Sequence, residues 1–184
     1  LLDGAGFVRL CESGNWQLTP GGKYYVTRNG SSLISFMLPD EDPAGFMMTA
    51  AHCDSPAFKI KDNAELEGGG VCRLSVEKYG GMLCATWMDR PLSIAGRVVI
   101  GTDSGIEARL VDFKRPAAVI PNVAIHMNRS ANESSSFNAA VDMLPLYGGK
   151  IGDFKAELAA LAGVKAEDIL AADLFLYNPQ QGVE

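Results

Sequence analysis

The sequence predicts an α/β fold: a discontinuous α/β layer interrupted by a β-rich, barrel-like insertion and then resumed. Three patterns carry that expectation. Gly45 to Ala51 is an apolar run without alternation, as in a strand buried on both faces of a sheet. Val71 to about Met127 is a series of short β-rich runs broken by glycines, which suits an antiparallel barrel or sandwich better than βα units. Asp153 to Ala162 carries apolar residues at helical spacing.

Taken in order, Leu1 to Phe7 reads as the last turn of a helix followed by a glycine stop. Lys23 to Arg28 and Ser31 to Met37 are two strands joined by Asn29-Gly30, a hairpin signal because both residues tolerate positive φ. The buried strand Gly45 to Ala51 delivers His52 to Pro56 at its C-terminal end, and Ala57 to Lys61 alternates as a further strand. Asp62 to Gly70 is a polar, glycine-rich passage, and Gly68-Gly69-Gly70 within it is a flexible crossing into the insertion. Within the insertion the strands are Val71 to Val76, Met82 to Trp87, Ser93 to Ile100, Ile106 to Phe113 and Asn122 to Met127. The Ser- and Asn-rich stretch Asn128 to Asn138 is an exposed loop, and Ala166-Glu167-Asp168 starts a short helix after Asp153 to Ala162. Asp173 to Tyr177 is an apolar strand of the kind that pairs with something further on, so the chain reads as a portion of a longer one.

With 184 residues, 47% of them hydrophobic, the chain can bury a substantial core. Acidic residues outnumber basic ones by 22 to 16, and Lys and Arg are scattered, which offers nothing to a phosphate backbone and excludes nucleic-acid binding as a reading. The longest apolar runs fall well short of the ~20 residues of a membrane helix, and no signal-peptide pattern opens the chain. The expected location is cytoplasmic. Cys11, Cys53, Cys72 and Cys84 are spaced too widely for a CxxC site and read as buried, reduced thiols.

The chain has two histidines, which narrows the search for chemistry. His52 stands in Ala50-Ala51-His52-Cys53-Asp54-Ser55-Pro56, at the end of the predicted buried strand, where open α/β sheets place their sites. A neutral imidazole is a good zinc donor, and Asp54, two residues on, is placed to accept its other ring N–H and fix its orientation. By itself His-x-Asp is a weak motif, and spacing alone favours a satisfied structural histidine over a metal ligand. Cys53 does not read as a nucleophile beside His52, because neighbours along a strand point to opposite faces. Asp89-Arg90 reads as a structural ion pair holding the insertion together. Gly68-Gly69-Gly70 lacks the Lys-Ser/Thr and helix start of a phosphate loop.

The run Thr49-Ala-Ala-His-Cys-Asp-Ser-Pro-Ala-Phe-Lys-Ile-Lys61 resembles the first metal motif of the aspartyl aminopeptidases, zinc peptidases that remove N-terminal acidic residues. Further segments resemble that family in the same order: Lys23 to Ile34, Tyr79-Gly-Gly, Trp87 to Val98, Arg115-Pro116, Ile120 to His126 and Leu174 to Tyr177. The resemblance implies a phosphorylase/hydrolase-like zinc peptidase layer, with residues 1–66 as its N-terminal part, 67–170 as an inserted dimerisation domain and 171–184 as its return strand. It implies two zinc ions per active site in the complete enzyme, with His52 a metal ligand and Asp54 orienting it. It also implies peptide substrates with an acidic N-terminus and a dimer-based homo-oligomer. His126 would reach from the insertion into a neighbouring subunit's active site to bind substrate; read without the family, it is a strand histidine whose face is open. The remaining metal ligands and the general base are not found between Leu174 and Glu184, and Glu184 matches no metal motif. The alternative expectation is a non-catalytic assembly or binding module derived from that fold.

Overall fold

The computed structural model describes residues 1–134 and 136–182; Glu184 lies outside them. The chain divides into two compact units, Leu1–His52 and Cys53–Glu184.

In the first unit a 3-10 turn, Asp3–Ala5, ends at Gly6 with φ +82°. A three-stranded sheet follows, in the order β1 (Val8–Arg9), β2 (Lys23–Arg28), β3 (Ser32–Met37), parallel between β1 and β2 and antiparallel between β2 and β3. The β2–β3 turn is Asn29-Gly30 with φ of 53° and 68°, the doubly positive pair that matches strand twist in a tight hairpin. Tyr24 and Tyr25 are buried, and Tyr25 Oη donates to Asp3 Oδ1 at 2.8 Å, tying the opening turn to the sheet.

Gly45 to Ala51 is not the buried strand its composition suggests. The segment is irregular and exposed, with Phe46, Met47 and Met48 at 90%, 104% and 88%. Burial on both faces needs a hydrogen-bonded neighbour and covering layers, and the three-stranded sheet of this unit ends at β3.

Among the described residues, the second unit is an open, antiparallel five-stranded sheet in the order β5-β4-β8-β6-β7, carrying one α-helix. Its strands are β4 (Ala57–Gly68), β5 (Val71–Tyr79), β6 (Ser93–Thr102), β7 (Gly105–Asp112) and β8 (Ile169–Tyr177). Most of the polar passage from Asp62 is the second half of β4, and the crossing expected at Gly68-Gly69-Gly70 is the tight turn into β5, with Gly69 and Gly70 at φ 63° and 78°. Nor does the sheet close into a barrel. Beyond β5, single bridges at Arg73–Leu146 and Val119–Leu146 extend it without forming ladders.

β8, the strand expected to seek a later partner, lies in the middle of this sheet, beside β6 along its length and beside β4 at Lys59–Phe175. Gly96 makes the β6–β8 approach possible, since a Cβ there would stand 2.1 Å from the Asp173 carbonyl oxygen. Alternate residues fill the core: Phe58 and Ile60, Leu74 and Val76, Ile94, Val98 and Ile100, and Leu174 and Leu176. Helix α1 (Asp153–Ala162) covers them with Phe154, Leu158 and Ala162, four residues apart, and ends at Gly163 in the left-handed conformation.

Met82 to Trp87 and Asn122 to Met127 are not strands. The first contains a 3-10 turn, Cys84–Trp87, which brings the Trp87 ring edge-on to Phe58 at 5.4 Å. The second follows a backbone clamp on Asp89. Asp89, with φ 57°, gives its N–H to Ile120 O at 2.9 Å and accepts Asn122 N–H on Oδ1 at 2.8 Å. That carboxylate thus serves the backbone in place of the ion pair with Arg90.

Candidate metal centre

His52 closes the first unit as an exposed residue in irregular backbone, not at the end of a buried strand. Asp54 is the second residue of the second unit. Its Oδ2 accepts the Tyr79 hydroxyl at 2.6 Å, a charge-assisted bond between exposed groups. The β4–β5 register explains the meeting: Ala57 pairs with Tyr79, so the end of β5 runs back beside the segment that leads into β4.

Tyr79 is itself braced. Its ring meets Phe175 of β8 edge-on at 5.5 Å, and Lys59 Nζ lies 5.9 Å from the Phe175 centroid. The hydrogen bond to Asp54 raises the phenol above its ordinary value, because ionisation would set two anions side by side. Lys59 pairs with Asp173 at 3.0 Å, and Arg97 reaches the other oxygen of the same carboxylate at 3.6 Å. One carboxylate therefore sits between two cations beside the Tyr79–Phe175 pair. The sequence marked Tyr79 only as part of a Tyr-Gly-Gly likeness; its position opposite Ala57 is what links it to Asp54.

His126 is exposed within a three-residue turn, Ile125–Met127, so it does not occupy a strand face. Cys53 and Cys11 are exposed rather than buried; Cys72 is buried and Cys84 half-buried. Cys72 is held up as the neutral thiol by burial and by the Glu65 carboxylate at 3.7 Å.

By type each residue suits zinc, His52 as an imidazole and Asp54 as a carboxylate. The number of donors does not make a centre. Among the described residues no three His, Cys, Asp or Glu side chains come together as a metal-binding group.

The family described as aminopeptidase I zinc metalloprotease (M18) matches residues 1–183. The chain belongs to the M18 aminopeptidase family. A probable M18 family aminopeptidase 2 from Pseudomonas savastanoi pv. phaseolicola is 43% identical over 97% of the chain. The chain spans 44% of that relative, less than half the length of the curated M18 proteins it matches. Among solved M18-like structures, Chaetomium thermophilum mApe1 superposes with a TM-score of 0.81 and 30% identity, over 97% of the chain and 45% of its own. The S. cerevisiae mApe1 dodecamer gives 0.74 and 28%, over 99% and 43%. The mixed α/β architecture with open sheets is thus that of M18 aminopeptidases.

Proposed function

We propose that the chain serves in a zinc-dependent aminopeptidase that removes N-terminal Asp or Glu from peptides. The observation that carries this reading is the M18 match from residue 1 to 183, which takes in the His52-Cys53-Asp54 segment. In this reading His52 is a zinc ligand and Asp54 its orienting carboxylate, with the Tyr79 hydroxyl donating to Asp54. Two zinc ions per active site are part of the same proposal; zinc supplies polarisation of the scissile carbonyl and activation of water. The whole protein's active site would draw its other donors and its general base from beyond the residues named here.

The exposed turn that carries His126 suits a side chain offered to another subunit, where it would contact the substrate. Assembly as a dimer-based homo-oligomer is proposed on the likeness to the mApe1 dodecamer. A cytoplasmic location belongs to the same reading and rests on the sequence. Among the described residues no helix is long and apolar enough to cross a membrane.

Substrate class is tested on the whole aminopeptidase in which the chain serves, by rates on a peptide panel that differs only at the first residue, Asp, Glu, Asn, Leu or Lys, with zinc present. The reading expects Asp and Glu peptides to be cleaved and Asn and Leu peptides to lag by about 100-fold or more, since a site built for a charged group leaves that group unpaired when the substrate lacks it. Equal rates on Leu and Asp peptides would keep an aminopeptidase and remove the acidic specificity. Cleavage of none of the five would leave the assembly module as the reading.

A further inference from the structure

Arg73 of β5 is a guanidinium without a counter-ion. Among the described residues no carboxylate pairs with it, and its Nε is buried with no hydrogen-bond partner. The side chain lines a pocket of about 370 Å³ formed within the second unit mainly by residues between Pro121 and Leu146, and its guanidinium also packs against Gly68 of β4. Apolar groups, among them Met88, Phe137 and Val141, make up much of the lining. A pocket of this size with an apolar wall and a few polar groups has the make-up of a small-molecule site.

The polar groups present mostly donors. Asn122 Oδ1 accepts the Val123 N–H at 2.9 Å, and Asn128 Oδ1 accepts the Ser130 hydroxyl at 3.2 Å. Both side-chain carbonyls are thereby engaged locally, which leaves the two amide NH₂ groups to a ligand. The one anion on the lining, Asp142, already accepts the Asn138 N–H on Oδ2 at 2.7 Å. An unpaired cation with two amide donors complements a carboxylate, and the neighbouring wall complements an apolar body.

We propose that the Arg73 pocket binds a small carboxylate with an apolar body, held by the Arg73 guanidinium and the amides of Asn122 and Asn128. The ligand is either a simple acid or an apolar α-amino acid, whose ammonium group would meet Asp142. The site is separate from the His52–Asp54 segment and stands whether or not the peptidase reading does.

The test is calorimetric titration of the purified protein with 4-methylpentanoate, leucine, and 4-methylpentanamide, which keeps the shape and loses the charge. Binding of 4-methylpentanoate, weakened at least about tenfold in Arg73→Met and in the amide ligand, is the expected result. Tighter binding of leucine identifies the amino acid as the ligand, and the reverse identifies the simple acid. Val141→Trp, a change at an exposed position that fills the pocket while leaving Arg73 in place, should abolish binding in a protein whose circular dichroism matches the parent. The proposal is overturned if neither carboxylate binds the parent protein. It is also overturned if the amide binds as well as the acid, or if Val141→Trp binds unchanged.

Discussion

Glu65 on β4 caps helix α1 from across the fold: its Oε1 accepts the N–H of Gly152 at 2.8 Å and, more weakly, that of Phe154 at 3.3 Å. Gly152 has no side chain to satisfy these first-turn donors, and the carboxylate also places negative charge at the positive end of the helix. Glu65 can do this because β4 is irregular. Between the Ile60–Val76 and Glu65–Leu74 pairs the strand leaves its ladder, and it resumes at Glu65 itself. Replacing Glu65 by Ala should lower unfolding free energy by about 1–2 kcal/mol, and Glu65→Gln, which keeps an acceptor, by less. Urea denaturation of the three proteins measures the order; an Ala variant as stable as the parent would show that the cap contributes nothing.

Gly96 is fixed by contact with the neighbouring strand. A methyl group there would meet the Asp173 carbonyl at 2.1 Å, so β6 and β8 must part to admit it. Gly96→Ala should destabilise the protein by about 1–3 kcal/mol, the usual range for overpacking a tight core. Gly101→Ala, where the nearest atom is a Leu170 side-chain carbon at 3.7 Å, is the control and should be much milder.

Glu157 on α1 links three elements. Its Oε1 accepts Arg115 Nε at 2.9 Å, and its Oε2 accepts the Tyr147 hydroxyl. The Arg115 hydrogen bond, with Tyr147 assisting, holds the Glu157 carboxyl below its ordinary value of 4.5. A carboxylate depressed in the folded state adds stability that is present above 4.5 and lost as pH falls through the lower folded value. Tyr147 has the opposite sign: burial and then Glu157 raise its phenol, so its share persists below pH 10 and fades only as pH climbs toward the folded value. The Tm gap between the parent and Glu157→Gln should be widest near pH 6 and shrink toward pH 3. A gap independent of pH would contradict this assignment.

Tyr79→Phe removes the hydroxyl that holds Asp54 while keeping the ring on Phe175. If Asp54 positions a zinc-binding imidazole, this change should weaken zinc about 10-fold or more and leave Tm close to the parent value. Unchanged zinc affinity would make the Tyr79–Asp54 bond purely structural.

Much of this architecture is legible in the residues because local chemistry fixes it. Asn29-Gly30 turns a hairpin, and Phe154, Leu158 and Ala162 place one face of α1 on the core at a spacing set by the helix. What escapes the sequence depends on partners. The apolar run at Gly45 to Ala51 says that cover would be favourable, not that anything supplies it. Met82 to Trp87 has the composition of a strand, yet burying Trp87 against Phe58 favours a 3-10 turn. The place of β8 between β4 and β6 is a matter of long-range register, invisible in Asp173 to Tyr177 alone. At the candidate site, His52 and Asp54 stand out by residue type, whereas Tyr79 joins Asp54 only because two strands pair 22 residues apart in sequence, at Ala57 and Tyr79.

The most direct measurement is hydrolysis of an Asp-peptide by the whole aminopeptidase in which this chain is proposed to serve, before and after zinc is stripped with a chelator, beside its His52→Ala variant. The account predicts activity that disappears on stripping, returns with added zinc, and is at least about 1,000-fold lower in His52→Ala at equal fold content, as loss of a metal ligand requires. Activity that survives chelation, or a His52→Ala variant as active as the parent, would contradict it.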